Sequence, residues 1–277
     1  MKRYPFGKFL LDIPDDHKIV SIHREAAFYD RAFGFVLEEI SKSSPDGVLL
    51  DIGGNIGDTA AFFASYVSNP IVSVEGNPDF TSYFKSNLRH FGEQVRLVEK
   101  FVRTDSLADL KLAYSGGAGT GVLSVTESNA LDDETFMGTD DLLKELGPLS
   151  LIKTDTDGFD GFIISDMLAK APDVPLFFEC DTTIALPGVE NPWPSVFAKL
   201  NDYAVVVFDN QGLPMLVAEE NAEKILRDLS GYLHLQRCVH PVRIYYTDIW
   251  AFPRNWKKTF DAVATLLRGD MLKPYGF

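Results

Sequence analysis

Short runs of β-branched and apolar residues alternate along the chain with stretches whose apolar positions recur every three or four residues. That alternation predicts a mostly parallel sheet covered by helices on both faces, a doubly wound α/β fold. The strand candidates are residues 48–51, 71–75, 95–100, 150–154, 176–180, 204–209, 214–218 and 243–251. Helical spacing falls between them at 58–67, 78–90, 139–146, 161–170, 194–200 and 221–229. One stretch breaks the rhythm: Leu110 to Tyr114 and Gly121 to Val125 flank a Ser-Gly-Gly-Ala-Gly-Thr turn, which predicts a β-hairpin inserted near 107–126 as a flap over the sheet edge. Residues 1–45 are mixed in character, with one amphipathic helix expected around 25–40 and no linker after it. They read as a cap on a domain spanning 46–277.

With 277 residues, 45% of them hydrophobic and 24% charged, the chain can bury a large core. No apolar run is long enough to span a membrane and no charged-then-apolar start is visible, so a soluble, unsecreted, cytoplasmic protein is expected. The two cysteines, Cys180 and Cys238, stand in apolar stretches, which fits buried thiols and excludes a zinc site built of cysteine pairs. A formal charge of −14 repels polyanions, so nucleic acid is not an expected partner and a small-molecule or glycan acceptor fits better.

The first strand runs through Asp51 into Gly53-Gly54-Asn55-Ile56-Gly57 and then into a helix, so backbone N–H groups and a helix N-terminus converge on one ligand group. Such glycines alone would be an ordinary tight turn. Here they come with an acid at the end of the next strand, Glu75, placed to accept both hydroxyls of a ribose. A dinucleotide fingerprint would carry Gly where Asn55 stands, and Asp51 would repel a pyrophosphate while attracting an ammonium. Adenosine joined to an amino acid, as in S-adenosylmethionine, satisfies both conditions.

A second acidic cluster, Asp155-Thr156-Asp157-Gly158-Phe159-Asp160, follows the strand at 150–154, and Glu179-Cys180-Asp181 ends the strand after it. If those strands are neighbours their acids share one crevice, where mutual repulsion can raise one carboxyl into the range of a general base. The same oxygens could instead hold a hard divalent cation, with Asp155, Asp157 and Asp181 as the ligands. Read singly, Asp157 is a turn residue and Asp181 a cap. The five histidines, His17, His23, His90, His234 and His240, show no metal-ligand spacing and read as surface or packing residues. His23 stands apart because Arg24, Tyr29 and Arg31 lie near it in sequence.

Together, the segments Leu50 to Gly57, Val74 to Pro78, Asp141-Leu142-Leu143, Ile152 to Gly158, Phe178-Glu179 and Tyr246 to Phe252 resemble the FkbM family of S-adenosylmethionine-dependent methyltransferases. The sequence departs from that family at Asp157, where Glu is usual, and at Gly76, where Pro is common. The resemblance implies a class I methyltransferase fold with a seven-stranded sheet ending in an antiparallel hairpin, and O-methylation of sugars or natural products. It implies a donor site of Asp51, Gly53, Gly54, Asn55, Gly57, Glu75, Gly76, Asn77 and Val102. Asp155 or Asp157 would be the base or a metal ligand with Asp181 in support, and His23, Tyr29, Arg31 and Glu179 would face the acceptor. The competing readings are a nicotinamide-dependent oxidoreductase and a non-catalytic nucleoside-binding module.

Overall fold

The computed structural model describes residues 2–26, 28–29, 31–117, 120–184, 186, 188–238 and 242–269. In chain order the strands are β1 (Lys2–Phe6), β2 (Phe9–Ile13), β3 (Val48–Ile52), β4 (Ile71–Val74), β5 (Val95–Val98), β6 (Phe101–Arg103), β7 (Leu112–Gly117), β8 (Thr120–Val125), β9 (Phe136–Gly138), β10 (Leu149–Thr154), β11 (Leu176–Cys180), β12 (Ala204–Asp209), β13 (Pro214–Ala218) and β14 (Thr247–Phe252). The helices are α1 (Ile19–Glu25), α2 (Arg31–Ser43), α3 (Asp58–Tyr66), α4 (Pro78–Asn87), α5 (Thr139–Lys144), α6 (Asp160–Lys170), α7 (Trp193–Lys199), α8 (Ala222–Gln236) and α9 (Lys257–Gly269).

Among the described residues one sheet holds eight strands, in the order β13-β12-β14-β11-β10-β3-β4-β5. The neighbours from β11 through β5 pair in parallel. β14 runs antiparallel to both β11 and β12, and β13 folds back on β12. This is the expected doubly wound sheet with a reversed strand near its end, and β13 adds an edge strand to the seven that the resemblance implies. The order turns around between β3 and β10, because the chain runs outward from β3 to β5 and then returns to the other side of β3. In open α/β sheets ligands bind at that switch point, beyond the carboxyl ends of the strands.

Strand alternation feeds two cores, one on each face of the sheet. Leu50, Ile152, Phe178, Val207 and Ile249 point to the face covered by α6, α7 and α8. Leu49, Leu151, Phe177, Val206 and Trp250 point to the other, where α2, α3 and α9 pack. Residues flanked by buried neighbours on both faces leave little room for polar groups, which is why these strands read as nearly continuous apolar runs.

The N-terminal segment departs from expectation. In place of one helix at 25–40, β1 and β2 pair as an antiparallel hairpin and two helices follow, α1 and α2. α1 stops at Ala26, whose φ of −113° leaves the helical region, and the chain turns before α2 begins. α2 then buries Val36, Leu37 and Ile40 and is tied to α9 by Ser43 Oγ, 2.7 Å from Thr259 Oγ1. α9 was not foreseen, although Phe260, Val263, Ala264 and Leu267 carry the i, i+3, i+4, i+7 spacing of one buried face. Residues 243–246 are not part of a strand, and β5 ends two residues short of Lys100.

β7 and β8 form the inserted hairpin, in register from Leu112 opposite Val125 to Gly117 opposite Thr120. Ala118 and Gly119 of its turn, the leader residues Ala27 and Asp30, and His240 lie outside the described residues. Among the described residues no helix is long and apolar enough to cross a membrane. Cys180 is buried as expected, but Cys238 is exposed, because it follows the last turn of α8 and not a strand.

Candidate active site at the carboxyl edge of the sheet

β3 delivers the glycine loop to the switch point, and steric limits explain its residues. Gly53 has φ of +82°, and a Cβ there would lie 1.9 Å from the Asp155 carbonyl oxygen. The loop after β3 therefore lies directly on the loop after β10, an approach that only glycine permits. The Gly53 and Gly54 N–H groups donate to Val74 O at 2.9 and 3.1 Å, anchoring the loop on β4. Gly57, at φ of +90°, lets the chain enter α3 while a Cβ there would meet the Phe84 ring at 2.8 Å. Asn55 takes a left-handed φ of 47° without being glycine, a conformation that asparagine tolerates better than most residues.

Asp51 corrects one expectation. It is completely buried and turned behind the loop, 2.9 Å from Lys153 Nζ, and it accepts a hydrogen bond from Ser73 Oγ at 2.8 Å. Its charge is matched inside the protein and does not line the crevice. Lys153, which the sequence reading passed over, also donates to Gly53 O at 3.1 Å and lies 3.9 Å from Asp155 Oδ2. Burial works against its charge, but Asp51 and Asp155 outweigh burial and hold the ammonium above its ordinary value. Gly54, Gly57 and Asn77 likewise shape the site from behind.

Glu75 directly follows β4 and lines the crevice. Its Oε2 accepts the Asn55 N–H at 2.9 Å and its Oε1 the Asn77 N–H at 2.7 Å. Burial pushes its carboxyl up to about 7 despite those two bonds. Asn77 caps α4 by accepting the Asp79 N–H at 3.0 Å, and its Nδ2 donates to Tyr114 Oη at 2.6 Å. Tyr114 belongs to the inserted hairpin, so the hairpin is fastened to the loop after β4.

The crevice itself opens to solvent. Gly53, Asn55, Glu75 and Gly76 form one side, and Phe80, Phe101 and Val102 give it an apolar wall. Asp155 and Asp157 stand opposite, and Tyr114, Gly121 and Leu123 of the hairpin close over it. Of the sequence-derived donor residues, Gly53, Asn55, Glu75, Gly76 and Val102 thus meet Asp155 and Asp157 in one cavity. Asp157, at φ of 50°, accepts the Gly121 N–H at 2.9 Å, a second latch on the hairpin. Burial, and then the nearby Asp155, push its carboxyl up to about 6. Asp160, buried beneath the turn, accepts the Thr156 and Gly158 N–H groups and fixes the loop's shape.

Asp181 does not join this cluster. Its Oδ1 accepts the Thr183 N–H at 2.8 Å and its Oδ2 pairs with Arg237 at 3.1 Å, which turns it toward α8. Among the described residues no group of three or more His, Cys, Asp or Glu side chains is placed to hold a metal ion. The proposed ligand set of Asp155, Asp157 and Asp181 therefore does not fit a metal.

Of the acceptor candidates, Glu179 stands opposite Asp248 in the β11/β14 register. Burial, and then Asp155, Asp160, Asp248 and Asp157, hold its carboxyl well above the usual carboxylate range. Tyr29 hydrogen-bonds the Tyr246 side chain, whose phenol is pushed up by burial and by Asp248, Glu179 and Asp155. His23 does not reach the crevice; it packs among Tyr4, Phe6 and Tyr29 with ring centroids 5.6 to 5.8 Å apart. Arg31 opens α2, and its side chain lies outside what is described. His17, read from sequence as surface or packing, is buried and its Nε2 lies 3.2 Å from Asn55 Oδ1. No spacing in the sequence connects those two residues.

No protein-family model matches the chain, and no curated protein sequence matches it. Among solved structures it is similar to an O-methyltransferase from Bacillus cereus in complex with S-adenosylhomocysteine, at 12% identity over 86% of this chain and 89% of that one, TM-score 0.44. It is similar to the precorrin-6y C5,15-methyltransferase from Geobacter metallireducens at 14% identity over 80% and 87%, TM-score 0.41. The O-methyltransferase TomG from Streptomyces achromogenes, solved with S-adenosylmethionine, gives 12% identity over 90% and 93%, TM-score 0.40. Likenesses this distant leave the activity to be read from the site.

Proposed function

We propose that this chain is an S-adenosylmethionine-dependent O-methyltransferase of the FkbM type, acting on a hydroxyl of a sugar or natural product. The observation that carries the reading is the single crevice in which the glycine loop and Glu75 face Asp155 and Asp157. Glu75 keeps free lone pairs on both oxygens for the two ribose hydroxyls. The wall of Phe80, Phe101 and Val102 suits an adenine ring. The charge favours a cationic ligand: three carboxyls line the crevice against one lysine, Lys100, while Lys153 is consumed by Asp51. A pyrophosphate would meet repulsion there, which disfavours the nicotinamide reading.

When bound, S-adenosylmethionine supplies a methyl group already activated by its sulfonium. The protein's part is to hold the acceptor hydroxyl in line and remove its proton. Asp155, half-exposed on the crevice wall, takes that proton as the C–O bond forms and the S–C bond breaks. Asp157 latches the hairpin over the crevice, and Glu179, near the end of β11, is the candidate to orient the acceptor. The test is to incubate the protein with S-adenosylmethionine and a panel of sugars, nucleotide sugars and polyphenols. S-adenosylhomocysteine release with one methylene's mass gained by an acceptor, abolished by Asp155→Asn, is expected; turnover undiminished in Asp155→Asn removes that residue from the chemistry.

A further inference from the structure

The N-terminal segment reaches the donor crevice through one imidazole. His17, 6% exposed, sits in the turn between β2 and α1. Its Nδ1 accepts the Ile19 N–H at 3.3 Å, which leaves the ring proton on Nε2, and that nitrogen donates to Asn55 Oδ1 at 3.2 Å. The same ring meets Phe80, part of the crevice wall, edge-on at 6.3 Å. The neighbouring Lys18 acts electrostatically on Asp157. One turn thus hydrogen-bonds the glycine loop and bears electrostatically on the acidic loop.

Asn55 is where that contact matters. It holds the left-handed conformation that shapes the loop, and its own N–H is one of the two that Glu75 accepts. We propose that His17 is a positioning residue of the donor site, fixing the Asn55 amide and through it the Glu75 carboxylate in the arrangement that takes the nucleoside. This rests on the methyl-donor reading above. A part-buried hydrogen bond linking residues 38 apart in sequence makes the turn at His17 part of the binding site and more than a cover over it.

Calorimetric titration of the full chain with S-adenosylhomocysteine tests this, using His17→Phe to keep the ring and lose the bond, and His17→Gln to return an N–H near the position of Nε2. His17→Phe should weaken binding about tenfold and His17→Gln recover most of it. Asn55→Gly keeps the left-handed backbone and removes the partner, so in that background His17→Phe should cost almost nothing further. Full wild-type affinity in His17→Phe overturns the inference and leaves the donor reading standing, as does an equal loss in the Asn55→Gly background. If His17→Phe does not fold, His17→Leu takes its place as the variant that loses the bond, and the same comparison with His17→Gln decides. A wild-type chain that does not bind S-adenosylhomocysteine overturns both.

Discussion

Lys153 Nζ lies 2.9 Å from Asp51 Oδ1 with both side chains almost wholly removed from solvent, at 2% and 0% exposure. The pair bridges β10 and β3, the two strands at the switch point, and joins the glycine loop to the acidic loop. Removing one member leaves the other as an uncompensated buried charge. Lys153→Met or Asp51→Leu alone should lower unfolding stability by roughly 3–5 kcal/mol, whereas the double replacement should recover most of the loss. Urea denaturation of the three variants checks this, and additive losses would contradict it.

Asp157 gives a prediction about pH and stability. Its carboxyl titrates near 6 when folded against an ordinary 3.8, so the folded protein holds more protons than the unfolded chain between those values. Stability should therefore fall as pH rises through that window, and the cost of the charged form persists above it. Asn at this position still accepts the Gly121 N–H, so Asp157→Asn should flatten the slope and melt no earlier than wild type at about pH 8. Thermal melts across the window read this directly; an unchanged slope would show that Asp157 does not titrate there.

Glu75 makes donor affinity depend on pH. Only its ionised form accepts both ribose hydroxyls, and burial places its titration at about 7. Affinity for S-adenosylhomocysteine should drop about tenfold from roughly pH 8 to roughly pH 6, and Glu75→Gln should bind weakly with that dependence removed. The comparison of variant with wild type separates Glu75 from Asp155 and Asp157, which remain in both.

At Gly53 the restriction is steric. A methyl group there faces both a φ of +82° and the Asp155 carbonyl at 1.9 Å. Gly53→Ala should cost roughly 1–3 kcal/mol of stability and abolish measurable donor binding while the sheet persists. Circular dichroism alongside titration distinguishes a displaced loop from an unfolded chain.

The βα wiring was legible because buried strands and amphipathic helices leave different periods in the sequence, and the glycine loop because Gly53 and Gly57 answer steric demands that only glycine meets. Glu75 was legible as an acid at a strand's end. The partner of Asp51 was not, since Lys153 reads as one charge in an apolar strand until β3 and β10 are seen side by side. Asp181 looked equivalent to Asp155 by position, yet Arg237, just past the end of α8, captures it, a contact between residues 56 apart in sequence. α9 was readable from the spacing of Phe260, Val263, Ala264 and Leu267 along one face. The β1/β2 hairpin closes on a local Gly7-Lys8 turn, whereas the reach of His17 depends on tertiary docking.

The central claim is that the crevice is built for a cationic nucleoside donor, and calorimetric titration of the wild-type chain with S-adenosylhomocysteine and with NADH tests it most directly. Micromolar or tighter S-adenosylhomocysteine binding that Glu75→Gln weakens, with no NADH binding, is the expected result. Tight NADH binding with none for S-adenosylhomocysteine would contradict the account.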